Sequence, residues 1–129
     1  MSDATRRERG VAMMKRVYAG DVVTPPAGVM PFSDLMLEQL FAEVWTREDK
    51  LSVRDRRLVL MGIIAALGEK DTFAIQAKAA VKNGELAPEQ VREVLITVAN
   101  YAGYPRAAGL IGPLEQALAQ AAKDLAAKP

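Results

Sequence analysis

Leu58-Val59-Leu60-Met61-Gly62-Ile63-Ile64-Ala65-Ala66-Leu67 is the stretch that decides the fold. It has no polar residue on any side of a helical wheel. A helix that is apolar all round is buried all round. This segment, entered at Arg54 and capped by Ser52 with Asp55 in the first turn, is therefore expected at the centre of a domain or against a second subunit.

The elements on either side also read as helices. Gly68 separates the central helix from a fourth, running from about Glu69 to Lys82, with Phe73, Gln76, Ala77 and Ala80 on one face. Asn83-Gly84 stops it. Pro88 suits the first position of a fifth helix, whose buried stripe is Val91, Val94, Leu95 and Val98. Tyr101 to Pro105 is the next break. A sixth helix runs from Pro105 to about Leu125, with a kink or split expected at Gly112-Pro113, and the final Ala127-Lys128-Pro129 should fray.

Upstream, Thr5 to Ala19 forms a first helix, with Thr5 and Glu8 at capping-box spacing and Val11, Met14 and Tyr18 on its packed face. Gly10 weakens it and Gly20-Asp21 ends it. Val22 to Pro31 is a loop, because Thr24-Pro25-Pro26-Ala27-Gly28 cannot continue a helix. Such a length serves a pocket cover or a reach toward a neighbouring subunit, or equally a plain surface crossover. Ser33 is expected to cap a second helix ending near Trp45, with Leu37, Leu40, Phe41 and Val44 as its apolar face. No strand alternation and no internal repeat is visible. The expectation is an all-α, single domain of about six helices over residues 1–129.

Composition narrows the function. The chain has 129 residues, half of them hydrophobic, and only 5% aromatic, which fits helices packed through small side chains. The net charge of +1 gives no field for nucleic acid or an anionic membrane. Arg6, Arg7, Arg9, Lys15 and Arg16 are locally basic but interrupted by Asp3 and Glu8, and read as a solvated face. The chain contains no cysteine and no histidine. Dithiol chemistry, thiolate or imidazole zinc sites and the usual neutral-pH general base are excluded. No glycine-rich phosphate loop appears, so no cofactor and no metal is expected. The first twenty residues lack the apolar core of a signal peptide, and the longest apolar run is shorter than the roughly 20 residues of a membrane span. The expected location is cytoplasmic, with no membrane and no nucleic-acid partner.

Three features could carry chemistry: Glu43 just before Trp45, the arginines Arg47, Arg54, Arg56 and Arg57 near the entry to the apolar helix, and Gln76 on an otherwise apolar face. Each has a plainer reading. Glu43 could face water. The arginines could form surface ion pairs with Glu48, Asp49 and Asp55. Gln76 could sit at a helix seam, and Tyr101 could be a core aromatic.

Their order is more informative than their types. Glu43-Val44-Trp45-Thr46-Arg47, then Leu51, Arg56 and Ala66-Leu67-Gly68, resembles the gamma-carboxymuconolactone decarboxylase family. Phe73-Ala74, Ala79-Ala80, Asn83-Gly84, Glu93-Val94-Leu95 and Tyr101-Ala102-Gly103-Tyr104-Pro105 continue the pattern, and Arg9-Gly10 and Gly20-Asp21 look like its start. The resemblance covers about residues 7–118. It implies an all-helical fold of the alkylhydroperoxidase D group, assembled as a homo-oligomer (a trimer or hexamer). Peroxidase members carry a cysteine pair where this chain has Glu69 and Thr72, so thiol peroxidase activity does not carry over. Decarboxylase members have histidines where Gln76 and Val23 stand here. Glu43, Trp45 and Arg56 remain.

In the reaction that the resemblance implies, a carboxylated lactone from aromatic-compound degradation loses carbon dioxide without a cofactor, and a donor then protonates carbon. Arg56 would anchor a carboxylate. Glu43 would be the acid or base, a role that requires burial. Gln76 would hydrogen-bond without shuttling a proton, and Trp45 or Tyr101 would wall the pocket. The alternative is a diverged oligomeric binder of small molecules, or an accessory protein, that kept the scaffold and lost the chemistry.

Overall fold

The computed structural model describes residues 3–128, with side chains described from Thr5 onward. The side chain of Asp3 and the expected fraying of Pro129 fall outside the described residues. The chain divides into two compact units, 1–53 and 54–129.

The first unit is built on two helical segments. Helix α1 spans Asp3–Val17. Thr5 lies inside it rather than at its cap. It ends where the sequence predicts, through Gly20 N–H bonding to the Lys15 carbonyl at 2.9 Å, with Ala19 and Gly20 both at positive φ. Gly10 has a sharper role than weakening α1. A Cβ there would stand 2.0 Å from the Leu37 carbonyl oxygen, so the absent side chain lets two backbones meet.

Helix α2 spans Pro31–Leu35 and passes directly into a π-helical segment, Met36–Val44. Ser33 is not the cap. Pro31 takes the first helical position, where its missing N–H costs no hydrogen bond, and Met30 before it is held extended. Ser33 is buried and donates to the Met30 sulfur at 3.1 Å. The π segment also changes the predicted face. Its i→i−5 bonding, seen at Trp45 N–H to the Leu40 carbonyl at 3.0 Å, rotates successive residues differently from an α-helix. Leu37, Phe41, Ala42 and Trp45 are buried, while Leu40 and Val44 are exposed. Phe41 packs between Tyr18 and Trp45, with ring centroids at 5.8 and 6.4 Å.

The loop between α1 and α2 is clipped to its own unit. Arg7 pairs with Asp34 and donates to the Pro25 carbonyl at 2.7 Å, while Asp34 accepts from Gly28 N–H at 3.1 Å. Val23 and Val29 remain exposed on it.

The second unit holds most of α3 (Val53–Leu67), then α4 (Lys70–Lys82), α5 (Pro88–Ala102), the short α6 (Tyr104–Ala108) and α7 (Ile111–Ala127). Helix α3 begins directly after Ser52. Gly68 and Gly84 adopt positive φ at the predicted breaks, a conformation that glycine reaches without a Cβ penalty. Pro88 is the first residue of α5, and the Gln90 side chain accepts from Ala87 N–H at 2.8 Å. The expected sixth helix is divided at Gly109-Leu110, not at Gly112-Pro113. Pro113 falls in the first turn of α7, where no intrahelical N–H bond is lost.

The core gathers Met61, Phe73, Ala77, Leu86, Val91, Leu95, Leu110 and Leu114, with every member from this unit. Lys78 and Lys82 of α4 both reach Asp124 of α7, at 3.3 and 3.0 Å. One expectation is corrected here. Helix α3 is not enclosed on all sides: Met61, Ile64 and Ala65 are buried, but Val59, Ile63 and Leu67 are each more than half exposed. These three repeat every four residues and form one apolar stripe. A few short helices wrap one side of α3 and leave the opposite side uncovered.

Candidate functional site

Each predicted residue has a definite place within its own unit. Glu43, on the π segment, is ion-paired with Arg9 at 2.9 Å and Arg6 at 3.3 Å, and its side chain is 48% exposed. Trp45 is buried against Phe41. Of the other N-terminal arginines, Arg7 pairs with Asp34 and Arg16 with Glu48.

In the second unit, Gln76 is fully buried. Arg56 is partly exposed and Tyr101, in the last turn of α5, is 92% exposed. Tyr101 is thus no core aromatic. The arginine that meets Gln76 is Arg57, the neighbour of the one selected from sequence. Arg57 has no solvent exposure. Its Nη1 donates to Gln76 Oε1 at 2.7 Å, while Nε and Nη2 donate to the two carboxylate oxygens of Glu85 at 2.5 and 3.0 Å. Asn83 Nδ2 donates to the same carboxylate at 3.3 Å. A planar guanidinium suits this two-point grip.

Local sequence explains the arrangement. Arg57 precedes Met61 by four residues and Ile64 by seven, so it falls on the buried face of α3. Arg56 is rotated about 100° away. A charge on an apolar stripe needs a buried partner, and Glu85, just past the Gly84 turn, supplies it. That spacing was the available signal for Arg57; nothing local marked Glu85.

Gln76 has one further property. Its Nε2 is buried and makes no hydrogen bond among the described residues. Buried donors are nearly always satisfied. The amide itself cannot titrate at neutral pH.

A second feature is a groove of about 300 Å³ formed by α5, α6 and α7, lined by Leu95, Ile96, Ala99, Tyr104, Ile111 and Leu114. Arg92 and Glu115 close one edge through bonds at 2.8 and 2.9 Å. The hydrogen bond from Arg92 holds the Glu115 carboxyl below its ordinary pKa, and Glu115 in turn raises that of Arg92. None of the sequence-predicted residues lines this groove. Its walls are ordinary apolar helix positions and carried no distinguishing signal. Among the described residues, no group of three or more metal-ligating side chains converges, and no helix is long and apolar enough to cross a membrane.

A family model described as the carboxymuconolactone decarboxylase family matches residues 31–123. The chain belongs to that family. No curated protein and no solved structure gives a significant match. The all-helical architecture agrees with the family assignment. In this carboxymuconolactone decarboxylase family member, Gln76 is buried and accepts a hydrogen bond from Arg57. Glu69 and Thr72 are both exposed.

Proposed function

We propose that this chain is a diverged carboxymuconolactone decarboxylase family protein that binds a small carboxylated or lactone-like molecule by hydrogen bonding and does not decarboxylate it. The observation that carries this reading is Gln76. An amide donates a hydrogen bond as a histidine does, but it does not take up and release a proton at neutral pH. Its buried, unspent Nε2 is suited to a carbonyl or carboxylate oxygen. The exposure and ion pairing of Glu43 support the same reading.

The test is binding and turnover of a carboxymuconolactone by the purified protein. Heat of binding with no release of carbon dioxide is expected. Carbon dioxide release that disappears in Glu43→Gln overturns the reading in favour of a cofactor-free lyase acting in aromatic-compound degradation. That second reading is supported by the retention of Glu43, Trp45 and Arg56 in family order.

Self-association belongs to the same proposal. The stripe Val59, Ile63 and Leu67, together with exposed Ile96 and Ile111, leaves more apolar surface on the second unit than a monomer comfortably exposes. A homo-oligomer, trimer or hexamer, covers it.

A further inference from the structure

We infer that Glu85 and Arg57 are positioning residues that fix which end of the Gln76 amide is presented, so that the site accepts a hydrogen-bond acceptor and rejects a donor. The inference rests on the proposed binding role of Gln76 and adds its specificity.

An amide side chain has an accepting end and a donating end of nearly equal size. Which end faces a ligand is a matter of what holds the other. A guanidinium has donors only. Arg57 Nη1, 2.7 Å from the amide, can therefore bond only to Oε1. The flipped amide would set N–H against N–H in a buried place. Gln76 is thus held with Nε2 as the free end, and that atom is the one buried without a partner among the described residues.

Arg57 could swing away if it were loosely held. Glu85 prevents this by occupying Nε and Nη2 with its two oxygens, which leaves Nη1 directed at Gln76. Asn83 steadies the carboxylate from the turn after α4. The chain of polarity runs from carboxylate to guanidinium to amide oxygen, and ends in an amide N–H pair. A lactone carbonyl or a carboxylate oxygen satisfies that pair. A group that can only donate, such as an ammonium, does not.

The experiment uses the full-length, nitrogen-15-labelled protein with γ-butyrolactone as the probe, an acceptor with no N–H or O–H. Side-chain resonances of Gln76 and Arg57 are followed during titration. In the unmodified protein, one sharp set of Gln76 amide signals is expected, and it shifts on adding the lactone. Gln76→Glu keeps the bond to Arg57 but replaces the donor by an oxygen. It should weaken lactone binding about tenfold or more while retaining the fold. Glu85→Gln should broaden or double the Gln76 signals and weaken binding several-fold, and Glu85→Asp should restore part of both. Equal lactone affinity in Gln76→Glu, or unchanged Gln76 signals in Glu85→Gln, overturns the inference. If the unmodified protein binds no lactone, the binding proposal fails, and the ligand-free signals still decide the positioning role. A single Gln76 set that becomes double in Glu85→Gln supports it, and no change refutes it.

Discussion

Arg57 donates to Gln76 across 2.7 Å with neither side chain exposed to solvent. This contact joins the one buried charge of α3 to the one buried amide of α4. It sets the polarity of the buried amide, and it makes Arg57 rather than Arg56 the structural partner of Gln76.

The stability of that contact depends on Glu85. Replacing Arg57 by Met leaves a largely buried carboxylate without its cation, and breaking such a pair costs about 3–5 kcal/mol. Urea unfolding should show this loss. The double substitution Arg57→Met with Glu85→Leu should recover much of it, because two apolar residues remove the unpaired charge.

Gly10 and Gly62 make a contrasting pair. A Cβ at Gly10 meets the Leu37 carbonyl at 2.0 Å, whereas a Cβ at Gly62 has nothing within 4 Å. Gly10→Ala should destabilise the first unit by about 1–3 kcal/mol through overpacking. Gly62→Ala should be neutral or stabilise by up to about 1 kcal/mol through helix propensity. Equal effects in denaturant unfolding would contradict the geometry.

Asp124 links α7 to Lys78 and Lys82. Hydrogen bonds from Gln120 and Lys82, with a further one from Lys78, lower its pKa to about 2. A carboxyl whose folded-state pKa lies below the unfolded value of 3.8 contributes stability above that value and loses it as pH falls toward 2. Asp124→Asn should therefore lower Tm at pH 7, with the gap to the unmodified protein closing between about pH 4 and pH 2. Thermal melts across that window check the sign. A gap that widened on acidification would refute it.

The exposed stripe on α3 makes the assembly proposal testable. Ile63→Glu places a charge on a residue that is 53% exposed in the single chain, so the fold should survive. If the stripe is covered by another copy, sedimentation at micromolar concentration should shift toward monomer, while helical circular dichroism stays unchanged. An unaltered oligomer would remove this stripe from the interface.

The helical class, the breaks at Gly20, Gly68, Gly84 and Pro88, and the inward face of α4, Phe73 with Gln76, Ala77 and Ala80, were all legible in the order of residues. These are local properties: backbone freedom at glycine, the fixed φ of proline, and the 3.6-residue repeat act over a few positions. The ordered run from Glu43 to Pro105 also carried the family. Tertiary structure alone decided that Met36–Val44 winds as a π-helix, that Glu43 is held by Arg6 and Arg9, and that α3 keeps one apolar side open. It also chose Arg57 over Arg56, because a guanidinium can be buried only where a carboxylate waits, and that carboxylate lies 28 residues further along the chain.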